Sequence, residues 1–246
     1  MNPILEYVID RDEQVKQNLD DRDLRMATYH FTKELVRTNY TKNFLWMGMP
    51  ILQYPTDLMI IQELIWRIKP DYIIETGVAF GGMLVFYANI LEVIGKGRVI
   101  GIEINPQDHN MKELELHPLQ NRIKVIRGSS IDKHTIETVK DLIRKGKVFV
   151  SLDSNHTHDH VLQELRLYAP LVSVGSYIIV FDTAIEEFGH LDKNQDRPWG
   201  KGNNPYTATQ EFMKNNDEFI VDKEIEQRAL ISAAPGGWLK RIKEAK

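Results

Sequence analysis

The stretch YIIETGVAFGG, residues 72–82, decides the fold of this chain. Tyr72, Ile73, Ile74 and Glu75 form a short apolar run bounded by turn residues, the pattern of a buried strand. Gly77, Gly81 and Gly82 follow, and an apolar run then predicts a helix over 81–94. Glycine lets the backbone turn sharply and approach a ligand closely. The helix N-terminus behind such a turn favours a negatively charged group. Strand, glycine turn and helix together are the context that a nucleotide-cofactor turn requires.

Outward from this unit, strands are expected at 98–104, 122–127, 147–152 and 176–181, with helices at 132–144 and 158–168. Upstream, Thr56 is a candidate cap, and Leu58, Ile61, Leu64, Ile65 and Ile68 repeat at helical spacing until Lys69-Pro70 stops the helix. This alternation predicts an α/β fold, a mostly parallel sheet with helices on both faces. Short strands at 218–221, 229–233 and 238–242 suggest an antiparallel finish. At the other end, Asp10 and Glu13 have capping-box spacing and open an amphipathic stretch to about Arg37, and a polar, aromatic loop over 39–54 follows. The chain is therefore read as an N-terminal helical extension, 1–55, and a cofactor-binding domain, 56–246. Segment 186–204 is polar and rich in glycine and charge. It is long enough for a lid or binding loop, with an open surface loop as the alternative, and Asn204-Pro205 would start the next helix.

Composition narrows the function. Of 246 residues, 42% are hydrophobic and 27% charged, with a net charge of −4, which supports a sizeable core and gives no basic footprint for nucleic acid. The absence of cysteine excludes disulfides, thiolate zinc sites, iron–sulfur clusters and cysteine nucleophiles. The first residues lack a basic segment followed by an apolar run, and no stretch approaches the ~20 apolar residues of a membrane span. The expectation is a cytoplasmic protein.

A dinucleotide turn places a second glycine two residues after the first; here that residue is Ala79. An acid closing the first strand, Glu75, is also unusual there. Both features favour S-adenosylmethionine over a nicotinamide cofactor. The second strand ends in Glu103, whose carboxylate can accept both ribose hydroxyls. The third ends in Gly128-Ser129-Ser130, polar groups that can border an adenine. Open α/β sheets bind ligands at these strand ends. The expected cofactor residues are Glu75, Gly77, Ala79, Gly81, Glu103, Ser130 and Asp153.

The fourth strand ends in Ser151-Leu152-Asp153-Ser154-Asn155-His156 and the fifth in Val180-Phe181-Asp182-Thr183. Asp153 and Asp182 would face one crevice, where carboxylate oxygens suit Mg²⁺. Such an ion lowers the pKa of a bound hydroxyl and orients it. His156 is placed to take the hydroxyl proton. The catalytic pair is thus His156 with Asp153, and the metal pair Asp153 with Asp182. Aspartates that cap the following helices, and zinc held by His156, His158 and His160, are the alternatives.

The runs Gln53-Tyr54-Pro55-Thr56-Asp57-Leu58, Lys69-Pro70-Asp71, Ile73-Ile74-Glu75-Thr76-Gly77, Leu152-Asp153-Ser154-Asn155-His156-Thr157, Gly202-Asn203-Asn204-Pro205 and Pro235-Gly236-Gly237-Trp238-Leu239-Lys240-Arg241 resemble the cephalosporin hydroxylase / rhamnosyl O-methyltransferase family, in order, over about residues 45–243. The resemblance implies a Rossmann-like class I methyltransferase fold with a seven-stranded sheet, one strand antiparallel. It also implies O-methylation of a sugar or glycosylated natural product, Asp153 and Asp182 as metal ligands, His156 as base, and a homo-oligomer in which the N-terminal helix is a contact. Two positions depart from the pattern. Phe181 and Thr183 stand where a second acid or amide beside Asp182 is usual, and Met83 stands where serine is common near the methionine carboxylate. A non-catalytic cofactor-binding subunit and a nicotinamide-dependent oxidoreductase are the competing functions.

Overall fold

The computed structural model describes residues 2–193 and 195–244; Asn194, within the predicted loop 186–204, lies outside them. The N-terminal stretch is two helices, α1 (Pro3–Asp20) and α2 (Arg22–Arg37), not one element opening at Asp10. Asn2 caps α1 by accepting from the Ile4 N–H, with Pro3 in the first turn. Asp21 is extended and caps α2 through the Leu24 N–H, which restarts the helix instead of continuing it. Asp10 and Glu13 lie inside α1.

The region 39–54, expected as loop, contains a 3-10 turn (Tyr40–Asn43) and a hairpin of β1 (Phe44–Trp46) and β2 (Met49–Ile51). Its two turn residues, Met47 and Gly48, both have positive φ, the conformation that matches the twist of the flanking strands. Helix α3 (Pro55–Ile68) starts on Pro55 with Tyr54 as its N-cap. Thr56, expected as the cap, is one residue inside, and its hydroxyl donates to the Ile231 carbonyl.

The alternating region then runs β3 (Tyr72–Thr76), α4 (Gly82–Ile94), β4 (Arg98–Glu103), α5 (Asp108–Leu116), β5 (Ile123–Arg127), α6 (Lys133–Leu142), β6 (Val148–Leu152), α7 (His158–Tyr168) and β7 (Tyr177–Val180). The chain ends through α8 (Ile185–Phe188), α9 (Pro205–Lys214), β8 (Phe219–Val221), α10 (Lys223–Ala229) and β9 (Trp238–Arg241). Helix α5 has no counterpart in the sequence reading. It buries only Asn110 and Leu114, too few positions to give an apolar period. Residues 229–233, expected as a strand, close α10 and enter a loop at Leu230, whose φ is 54°. Their backbone groups are taken elsewhere: the Ile231 carbonyl accepts from the Thr56 hydroxyl, and the Ala233 N–H donates to Asp57.

The seven-stranded sheet has the order β5-β4-β3-β6-β7-β9-β8, and β9 alone runs against its neighbours. The chain moves outward from β3 to β5, then returns to lay β6 on the other side of β3. A crevice therefore opens at the carboxyl ends of β3 and β6. Alternate strand residues feed two cores. Ile73, Phe149, Ile179 and Trp238 pack with α3, α4 and the hairpin, whereas Ile74, Val150, Ile178 and Leu239 pack with α6, α7 and α9. The hairpin lies directly on α4, since a Cβ on Gly82 would sit 2.1 Å from the Pro50 carbonyl oxygen.

Asp57, in the first turn of α3, is fully buried and accepts the Ala233 N–H at 2.8 Å, pinning the 231–234 loop. Burial pushes its carboxyl up to about 7 from an ordinary 3.8. Between those values the folded chain holds a proton that the unfolded chain has released, so stability falls as pH rises through the window. Asp57→Asn removes this dependence. Urea unfolding at pH 5 and pH 8 should show the variant gaining on the wild type as pH rises, with a slope of up to about 1.4 kcal/mol per unit. A pH-independent difference would contradict this account.

Candidate active site

The turn after β3 is shaped by three close contacts. Gly77 has φ +85°, and a Cβ there would lie 2.0 Å from the Asp153 carbonyl oxygen. Ala79 has φ 47°, a left-handed conformation that costs a residue with Cβ about 1–2 kcal/mol. Glu103 holds it: Oε2 accepts the N–H groups of Val78 (3.0 Å) and Ala79 (3.3 Å), and Oε1 accepts that of Asn105 (3.0 Å). Asn110 donates to the Ala79 carbonyl from α5. Gly81 caps α4 with φ +88°, and Leu114 occupies the space a side chain would need.

A cavity of about 710 Å³ lies over this turn. Glu75, Gly77, Ala79, Glu103, Ser130, Asp153, His156 and Asp182 all line it, so these predicted residues converge. Gly81 does not reach the wall; it shapes the turn from behind. Met83 does line the cavity. Glu75 is 1% exposed, and neither carboxylate oxygen has a hydrogen-bond partner. Burial, and then the nearby Asp153, hold its carboxyl well above the usual range.

Ser130 joins a network that sequence reading did not assemble. Its hydroxyl lies 3.0 Å from His160 Nε2, which is 3.2 Å from the Ser154 hydroxyl; Ser154 donates to the fully buried Glu164 at 2.6 Å. These contacts tie the end of β5 to the end of β6. The i, i+4 spacing of His160 and Glu164 on α7 was the only local signal of the network.

The acids meet at the next strand ends. Asp182, at φ 56°, places Oδ2 3.1 Å from His156 Nε2, and ligand atoms of Asp153, His156 and Asp182 all lie within 4.8 Å of one another. Asp153 is raised well above the ordinary carboxyl range, by removal from water first and by Asp182 next. Gln53, which carried only the family resemblance, donates Nε2 to Asp153 Oδ2 at 3.1 Å. The three alternating histidines do not converge: His158 turns to Thr207 and Glu211, and His160 to the serines. Beside Asp182, Phe181 is buried in the core, and Thr183 is buried outside the cavity wall.

From segment 186–204, Phe188, Gly189, Asp192, Arg197 and Trp199 line the cavity. Glu186 anchors the segment by accepting from Gly202 N (2.9 Å) and Asn204 Nδ2 (2.6 Å), contacts that hold its carboxyl below the usual range. Trp199 meets the His156 ring edge-to-face at 4.8 Å, and Arg197 lies over its indole. Asn204 opens α9 with the expected cap, completed by Thr207.

The description "Rhamnosyl O-methyltransferase/CmcI" belongs to the family that matches residues 38–242. A rhamnosyl O-methyltransferase of Mycobacterium bovis is 30% identical over 213 residues, covering 82% of each chain. That of Mycobacterium leprae is 32% identical over 211 residues, covering 82% of this chain and 87% of its own. A solved CmcI structure described with Mg and SAM superimposes with a TM-score of 0.58 at 18% identity, covering 82% of this chain and 78% of that one. At such identity the likeness is one of fold. The seven-stranded order with a single antiparallel strand is the Rossmann-like class I methyltransferase fold that the resemblance implied.

The contact at Gly77 makes a direct prediction. Gly77→Ala forces a Cβ into the Asp153 backbone and should cost about 2–4 kcal/mol in urea unfolding, the sum of overpacking and left-handed strain. A loss below about 1 kcal/mol would mean that the two strand ends are free to separate.

Proposed function

The chain belongs to the rhamnosyl O-methyltransferase/CmcI family, and on that premise we propose that it transfers the methyl group of S-adenosylmethionine to a sugar hydroxyl, with Mg²⁺ assisting and His156 as base. One observation carries the reading. Asp153, His156 and Asp182 converge on the cavity whose opposite wall is the glycine turn.

The residues fit both groups. Gly77, Val78 and Ala79 present the turn to the cavity, and Glu103 Oε1, which accepts only the Asn105 N–H, keeps a lone pair for a ribose hydroxyl. Ser130 borders the adenine end. Asp153 and Asp182 offer hard oxygen donors to a divalent cation. When bound, S-adenosylmethionine supplies an electrophilic methyl carbon, and Mg²⁺ lowers the pKa of the acceptor hydroxyl.

The chain does the rest. Asp182 beside His156 orients the imidazole and stabilises the imidazolium that forms when the ring receives the hydroxyl proton. Trp199 holds the imidazole from its edge and narrows the cavity against water. Self-association through the N-terminal helices is the reading supported by their exposed Ile4, Tyr7, Met26 and Phe31.

Glu103→Ala should lose S-adenosylmethionine binding in calorimetry. His156→Ala should keep that binding yet lower turnover on rhamnoside acceptors by about 10²–10⁴, with methylated product followed by mass spectrometry. If the wild type binds no S-adenosylmethionine, with or without Mg²⁺, the proposal is wrong.

A further inference from the structure

A side chain outside the acid cluster completes it. Gln53 sits between β2 and α3, is 2% exposed and lines the cavity. An ionised carboxylate only accepts hydrogen bonds, so the amide presents Nε2–H to Asp153 Oδ2 and must turn Oε1 elsewhere. That Oε1 is buried and has no hydrogen-bond partner. Such orphans are exceptions in folded proteins and ask for a reason. Gln53 is also held firmly, between a hairpin seated on Gly82 and the Tyr54–Pro55 start of α3.

A cation of the Mg²⁺ class takes about six oxygens. Asp153 and Asp182 provide carboxylates, but neither neighbour of Asp182 brings an oxygen to the cavity wall. We propose that Gln53 both orients Asp153 in this cation site and is itself a ligand of the ion. Its Nε2 fixes one oxygen of Asp153, leaving the other for the ion, and its unpartnered Oε1 supplies the amide oxygen that the strand-five end lacks. This inference rests on the cation-assisted reading above.

The test is Mn²⁺ binding to the full chain, followed by the loss of the free-ion paramagnetic signal, without S-adenosylmethionine or acceptor. Wild type should bind; Gln53→Leu should bind about 10–100-fold more weakly, and Gln53→Glu, which restores an oxygen, at least as tightly as wild type. Melting without metal separates the roles. A packing role lowers the metal-free Tm of Gln53→Leu but leaves Mn²⁺ affinity unchanged, and that result overturns the inference while sparing the cation-assisted reading. Should Gln53→Leu not fold, weaker binding by Gln53→Glu than by wild type overturns it equally. Failure of the wild type to bind Mn²⁺ at millimolar concentration removes the cation-assisted reading itself, and this inference with it.

Discussion

Two strand ends approach so closely that only a glycine fits between them. β3 and β6 pair in register up to Thr76 and Leu152, and in the next step Gly77 meets the Asp153 carbonyl where no Cβ has room. That contact sets the width of the crevice. It puts the glycine turn on one lip and the first acid on the other, so a ligand lying on the turn is necessarily beside Asp153. The other site residues brace this arrangement from further out. Glu103 pins the turn from β4, Gln53 steadies Asp153 from the N-terminal side, and the Ser130–His160–Ser154 chain links the ends of β5 and β6.

The parts legible in the sequence are those fixed by local pattern together with burial. The inner strands β3, β4, β6 and β7 carry apolar runs because both faces are covered, and they and β5 lie within two residues of their expected bounds. Strand ends are fixed points in such a sheet, which is why Asp153, Asp182 and Glu103 could be placed from spacing alone. Illegible parts depend on partners distant in sequence. Gln53 meets Asp153 across 100 residues and Ser130 meets His160 across 30, and no local signal announces either. The hairpin at 44–51 was hidden because its turn, Met47-Gly48, lacks the usual asparagine or aspartate ahead of the glycine. The 229–233 segment has strand-like residues, but its Ile231 carbonyl and Ala233 N–H bond to Thr56 and Asp57 on α3, partners distant in sequence.

Several carboxylates lie in the cavity wall or, like Glu164, behind it, and they are stabilised in different ways. Glu103 is satisfied by three backbone N–H groups. Glu164, although fully buried, accepts from Ser154 and stands next to His160. Glu75 has neither kind of partner, and burial pushes its carboxyl well above the usual range. Asp153 lies between these cases, with one amide donor against the field of Asp182. Positive charge arriving beside a buried carboxyl favours its ionised form. Such a cavity therefore discriminates by sign. It resists anionic ligands along its acid wall and gains most from a ligand that brings positive charge, as a sulfonium and a divalent cation both do. The same burial that raises the Glu75 and Asp153 carboxyls makes the cavity selective for positive charge.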